Sequence, residues 1–138
     1  MSRRRFNFSE KDAMCWKFGI SLEQLCNALL RVGPSALKED LQSKWTPDNP
    51  CCCFCYRVTE AIVKSRKVPE GFDLMLKKDN GGHWFFKNLK SGEILDPTAD
   101  QFEDGYEYDG AKRRKHFPQI SIGARMVAEE LGWTIPNS

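Results

Sequence analysis

Residues 72 to 96 read FDLMLKKDNGGHWFFKNLKSGEILD, and no other stretch restricts the fold as strongly. Three short strand-like runs, the first of them FDLMLKK with alternating apolar and polar residues, are joined by DNGG and KSG, both rich in turn residues. Links this short join antiparallel strands, because a parallel pair needs a crossover of about a dozen residues or more. Pro97 stops the last run. The core of the chain therefore contains an antiparallel sheet.

Helical signals lie on both sides of this block. Ser9 is placed to cap SEKDAMCWKF, with Gly19 as its left-handed stop. Ser21 and Gln24 have capping-box spacing ahead of LEQLCNALLRV, in which Leu22, Leu25, Leu29 and Val32 share one face with Cys26 beside them. Gly33-Pro34 breaks that helix, and SALKEDLQSKW predicts a third. After the turn-rich TPDNP, CYRVTEAIVKSR predicts a helix with Val58, Ala61 and Ile62 facing the core. Ser121 is placed to cap a final helix, SIGARMVAEEL, ended by Gly132. Helices first, antiparallel strands next and a closing helix last predict an α+β protein, not a doubly wound one. Residues 1–44 are expected to form an N-terminal helical unit and residues 45–138 the unit carrying the sheet.

A chain of 138 residues can bury a core without disulfide staples. Its net charge of +2 is too small to argue for nucleic acid. No apolar run of signal-peptide or membrane-spanning length is present, so no membrane association and a cytoplasmic setting are expected. In that setting the six cysteines should be thiols or metal ligands.

Four of those cysteines fall within NPCCCFC, directly before the predicted helix. Structural zinc uses cysteine pairs two to four residues apart, drawn from two places. Adjacent cysteines such as Cys51, Cys52 and Cys53 rarely point at one tetrahedral centre, and no second paired knuckle exists elsewhere to complete a site with Cys55, so no metal and no cofactor are expected. Cys15 and Cys26 read as small apolar residues of helical faces. Cys55 differs from the others because it opens a helix. Unpaired N–H groups and the positive end of the helix dipole favour a thiolate there.

A nucleophilic thiol needs a base, and a base needs an orienting group. His83 opens the second strand, after a double glycine that leaves room for close approach, and Asp96 ends the third. A turn at Lys90-Ser91 would set His83 opposite Thr98 and make Asp96 a diagonal neighbour on the same face. Diagonal residues lie about 7–8 Å apart at the backbone, within reach of an imidazole and a carboxylate. His116 lies in the basic run KRRKH and reads as part of a solvated loop.

These residues also carry a resemblance. NPCCCFCYRVTEA resembles a phage and bacterial pattern of Asn-Pro, a glycine-bearing loop, Cys-Tyr and Glu-Ala. GGHWFFKNLKSGEILDPTADQF is similar to its continuation, and also to the His-Tyr-Trp, Asp-Leu-Thr and Gln-Phe series of YunG-like proteins. Those groups look like compact relatives of papain-like and NlpC/P60 cysteine peptidases. Over residues 45 to 131 the resemblance implies a papain-like core with Cys55 as nucleophile, His83 as base and Asp96 as orienter. Cys53 stands where the pattern commonly has glycine, and it is the second candidate nucleophile. Residues 5 to 41, with RFNFSEKDAMCWKFGISLEQLCNALLRVG, resemble a small bacterial helical family of unknown function.

The reading that follows is a cysteine hydrolase, of peptidase, amidase or deamidase type, acting on an amide in a protein or peptide. Asn49, Tyr56, Trp84, Gln101 and Tyr108 are the expected substrate-binding residues, and the polar stretch from Asp100 to Phe117 is expected to border the cleft. One oxyanion donor is expected from the Cys55 N–H and a second from the 49–54 loop. Two alternatives stand beside it. One is a non-catalytic protein-binding module on a degenerate peptidase-like fold. The other is a nucleic-acid binder using the N-terminal helices, against which their modest basicity argues.

Overall fold

A computed structural model describes residues 3–136, apart from 80, 116 and 118; His116 therefore lies outside the described residues. In chain order, α1 spans Phe8–Trp16 and α2 Leu22–Val32. A 3-10 turn, Pro34–Ala36, and the short α3, Glu39–Gln42, follow. Helix α4 spans Cys55–Lys64. The strands are β1 (Phe72–Lys77), β2 (His83–Asn88), β3 (Ile94–Leu95) and β4 (Lys112–Arg113), and α5 (Ile122–Glu130) closes the chain. The sheet has the order β3-β2-β1-β4, with every pairing antiparallel. The protein is α+β.

The helix ends follow local chemistry. Helix α1 is capped two residues before Ser9: Asn7 Oδ1 accepts from the Glu10 N–H at 2.8 Å, and Glu10 Oε1 accepts from the Asn7 N–H at 2.9 Å. Ser21 and Gln24 make the same reciprocal pair at α2. The expected third helix is interrupted, because Leu37 adopts an extended backbone that places its side chain in the core. Ser121 Oγ accepts from the Ala124 N–H at 3.1 Å and starts α5.

Helix α4 is central. Val58, Ala61 and Ile62 are fully buried, each of the two larger side chains contributing roughly 2 kcal/mol by leaving water. Its Glu60 is buried as well, with a carboxylate that accepts from the Ser121 N–H at 2.6 Å and from Ser121 Oγ at 2.8 Å. Arg57 adds an ion pair to Glu60 at 3.6 Å. A buried carboxylate with these partners ties α4 to the start of α5. Gly123 permits the close approach, since a Cβ there would lie 2.2 Å from the Ala36 carbonyl oxygen.

The alternation expected in β1 gives way to three consecutive buried residues, Leu74, Met75 and Leu76. Both faces of the sheet centre are covered, so neither parity of the strand faces water. On β2, Trp84 meets Tyr56 and Phe117 on one side, while His83 and Phe85 meet Tyr108 on the other. Phe6, Met14, Leu25 and Leu29 belong to the same core cluster as Phe54, Ile62 and Phe85. The N-terminal helices thus pack directly on the sheet-bearing part. No helix among the described residues is long and apolar enough to cross a membrane.

Candidate active site

The loop before α4 sets the position of Cys55. Trp45 Nε1 donates to the Pro50 carbonyl at 2.9 Å and holds the loop base. Two tight turns follow, closed by Cys52 N–H to Asn49 O at 3.0 Å and Phe54 N–H to Cys51 O at 3.1 Å. Within the second, Cys53 has φ +72°, the left-handed region where glycine is favoured. Phe54 precedes α4 without a side-chain cap, which leaves the first-turn N–H groups free of a capping acceptor.

Cys55 is the first residue of that helix, 8% exposed, with its thiol 4.0 Å from the Gly82 carbonyl oxygen. Gly82 has φ +94°, and a Cβ on it would press on Leu76 at 3.2 Å. A residue with a side chain would be strained in backbone and crowded in space, so glycine keeps this edge of β2 close to the thiol.

Beyond Gly82, His83 Nε2 lies 2.7 Å from Asp96 Oδ2, with His83 3% and Asp96 1% exposed. The β2–β3 register, with Phe86 opposite Leu95 and Lys87 opposite Ile94, extrapolates to His83 opposite Thr98, as the Lys90-Ser91 turn predicts. The ladder itself ends at Leu95. Asp96 is held by four donors: its Oδ1 accepts from the Thr98 N–H at 3.1 Å and from Thr98 Oγ1 at 3.3 Å, and its Oδ2 accepts from Tyr108 Oη at 2.6 Å besides His83. Burial alone would push the His83 ring down. The charge and hydrogen bond of Asp96 outweigh it, the Cys55 thiol adds to the rise, and the ring is pushed up to about 10. With Nε2 committed to Asp96, Nδ1 is the ring nitrogen left for another partner.

The other thiols have different surroundings. Cys53 is held up at about 12, by burial first and then by its contact with the Cys52 thiol, 3.4 Å away. Cys51 is fully buried against Cys26 and is raised by their hydrogen bond and by burial. Cys15 is raised by burial and lies 3.6 Å from the Pro97 carbonyl oxygen. The Cys55 thiol acts on the His83 ring through a hydrogen bond and through charge. No group of three or more metal-ligating side chains occurs among the described residues.

Two cavities meet beside Cys55 and share Gly82 and Gln101. One, of about 560 Å³, is lined by Cys53, Cys55, Tyr56, Arg57 and Trp84. The other, of about 340 Å³, is lined by His83, Phe102 and Tyr106. Of the expected substrate-binding residues, Tyr56, Trp84 and Gln101 border the first cavity. Asn49 instead braces the loop, its Nδ2 donating to the Gln101 carbonyl at 3.2 Å. Tyr108 lines neither cavity: it is buried behind His83 with its hydroxyl on Asp96, because three further aromatic rings pack around it.

The basic run is placed elsewhere. Lys112 and Arg113 pair with β1, and Arg113 to Lys115 line a groove with Phe72, Leu74 and Phe86, away from Cys55. Two further groups bear on the site. Tyr106 packs its ring edge-on to His83 and donates its hydroxyl to Asp79 Oδ1 at 2.7 Å. Glu60 fixes the helix that bears Cys55. No family model, curated protein or solved structure matches the chain.

Proposed function

We propose that this protein is a cysteine hydrolase that cleaves or deamidates an amide in a protein or peptide, with a papain-like or NlpC/P60-like core formed by α4 and the antiparallel sheet. The observation that carries the reading is the His83 ring, hydrogen-bonded to a buried, four-donor Asp96 on one side and influenced by the helix-start thiol of Cys55 on the other.

Cys55 Sγ attacks the carbonyl carbon, the S–C bond forms, and the π electron pair moves to oxygen. The Cys55 N–H and a second N–H of the 49–54 loop stabilise that oxyanion. The intermediate collapses, the C–N bond breaks, and the proton held by His83 passes to the departing nitrogen. Water then attacks the thioester, His83 takes its proton, and the S–C bond breaks to release the acid. Asp96 keeps Nε2 engaged throughout, so Nδ1 does the exchange. Peptide cleavage and side-chain deamidation share these steps and differ in which amide enters the cleft.

The test is a proteome-wide comparison of extract treated with the parent protein, Cys55→Ala or His83→Ala. New chain termini or deamidated residues are expected with the parent alone. Identical product sets from parent and Cys55→Ala would overturn the reading.

A further inference from the structure

The two cavities that meet at Cys55 are unlike in charge. The cavity against α4 is bordered by Lys38, Lys44 and Arg57, with Asp40 as its one carboxylate. Neither lysine forms an ion pair among the described residues, so both are free to meet an incoming anion. Arg57 is fixed, donating from Nε to the Ala36 carbonyl at 3.0 Å and paired with Glu60 at 3.6 Å, so the excess positive charge rests on the two lysines. Its guanidinium lies 5.2 Å from the Tyr56 ring centre, and Lys38 Nζ lies 5.9 Å from the same ring. Tyr56 in turn packs on Trp84 with ring centres 5.2 Å apart. The result is an aromatic floor with cations at its margin.

The cavity on the His83 side is lined by two cationic side chains, Arg3 and Lys77, against two carboxylates, Asp79 and Glu107. Its Lys77 lies 3.6 Å from Asp79 and donates to the Glu107 carbonyl, and Tyr106 donates to the same aspartate. A substrate crossing Gly82 and Gln101 therefore passes from a self-compensated side to a side with excess positive charge.

We propose that the α4-side cavity is a specificity subsite for an acidic residue adjoining the carbonyl that Cys55 attacks, with Lys38 and Lys44 as its charge-reading groups. An aliphatic stem rests on Tyr56 and Trp84, and the carboxylate reaches the lysines at the rim. This rests on Cys55 being the nucleophile, and the experiment separates the two claims.

The probes are N-chloroacetyl derivatives of glutamic acid, glutamine and lysine amides, in which Cys55 Sγ forms the new S–C bond and chloride leaves. Rates at each cysteine are followed by peptide mapping. The glutamate probe should label Cys55 about fivefold faster than the glutamine probe at low salt, the scale expected of two exposed charge contacts. The lysine probe should be slowest. In Lys38→Glu/Lys44→Glu the order of glutamate and lysine probes should reverse. In the parent, the glutamate advantage should collapse near 1 M salt, where the screening length is about 3 Å. That second readout holds even if the double variant does not fold. Equal rates for the three probes at a fast-reacting Cys55 overturn the subsite alone. Absence of selective labelling at Cys55 by any probe overturns the nucleophile and the subsite with it.

Discussion

Tyr108 and His83 bind the same carboxylate oxygen, Asp96 Oδ2, at 2.6 Å and 2.7 Å. The phenol is therefore part of what holds Asp96, and Asp96 is what holds the imidazole. A hydrogen bond to a buried charge is worth about 1.5–3 kcal/mol. Tyr108→Phe should lower the unfolding free energy by about that amount in urea titration, and Cys55 should still be the fastest-reacting thiol. An unchanged urea midpoint would show that Asp96 does not depend on the phenol.

Cys53 occupies a left-handed position, φ +72°. A side chain there costs about 1–2 kcal/mol, which glycine avoids at the expense of chain entropy in the unfolded state. Cys53→Gly should be at least as stable as the parent, and Cys53→Val should be less stable by about 1–2 kcal/mol because a branched side chain tolerates this conformation worst. Thermal melts of the two variants side by side check the order; a valine variant as stable as the glycine variant contradicts it.

The raised His83 pKa has a sign. Its folded value of about 10 lies above the ordinary 6.5, so the protonated ring stabilises the fold. That contribution is complete below about pH 6.5 and is lost as pH rises toward about 10. The thiols of Cys15, Cys51 and Cys53, all raised by their surroundings, lose stability in the same alkaline direction. The His83 share is therefore the difference between the parent and His83→Gln. The parent's urea midpoint should fall more steeply than the variant's between about pH 6.5 and 10. Parallel curves would contradict the protonated ring.

The His83–Asp96 pair was legible in the sequence because a short hairpin fixes register locally: once the turn sits at Lys90-Ser91, parity puts both side chains on one face. The helix-start position of Cys55 was legible for a similar reason, since it follows a turn-rich loop. Tyr108 was expected to bind substrate; its place behind His83 was not legible, since its stretch has no periodicity and its packing partners Phe6 and Phe85 come from distant parts of the chain. Glu60 reads as a solvated helix residue with Arg57 one turn before it, and only the fold brings Ser121 to it. The alternation expected in β1 failed because strand pattern reports one covered face, whereas here both are covered.

The central claim is that Cys55 is activated by His83, and competitive alkylation by limiting iodoacetamide near neutral pH tests it most directly. A free thiol is only a few per cent ionised there, so an activated Cys55 should label about tenfold or more faster than the other five cysteines. His83→Ala should erase that advantage. Uniform slow labelling of all the thiols, or selective labelling of Cys55 that survives in His83→Ala, would contradict the account.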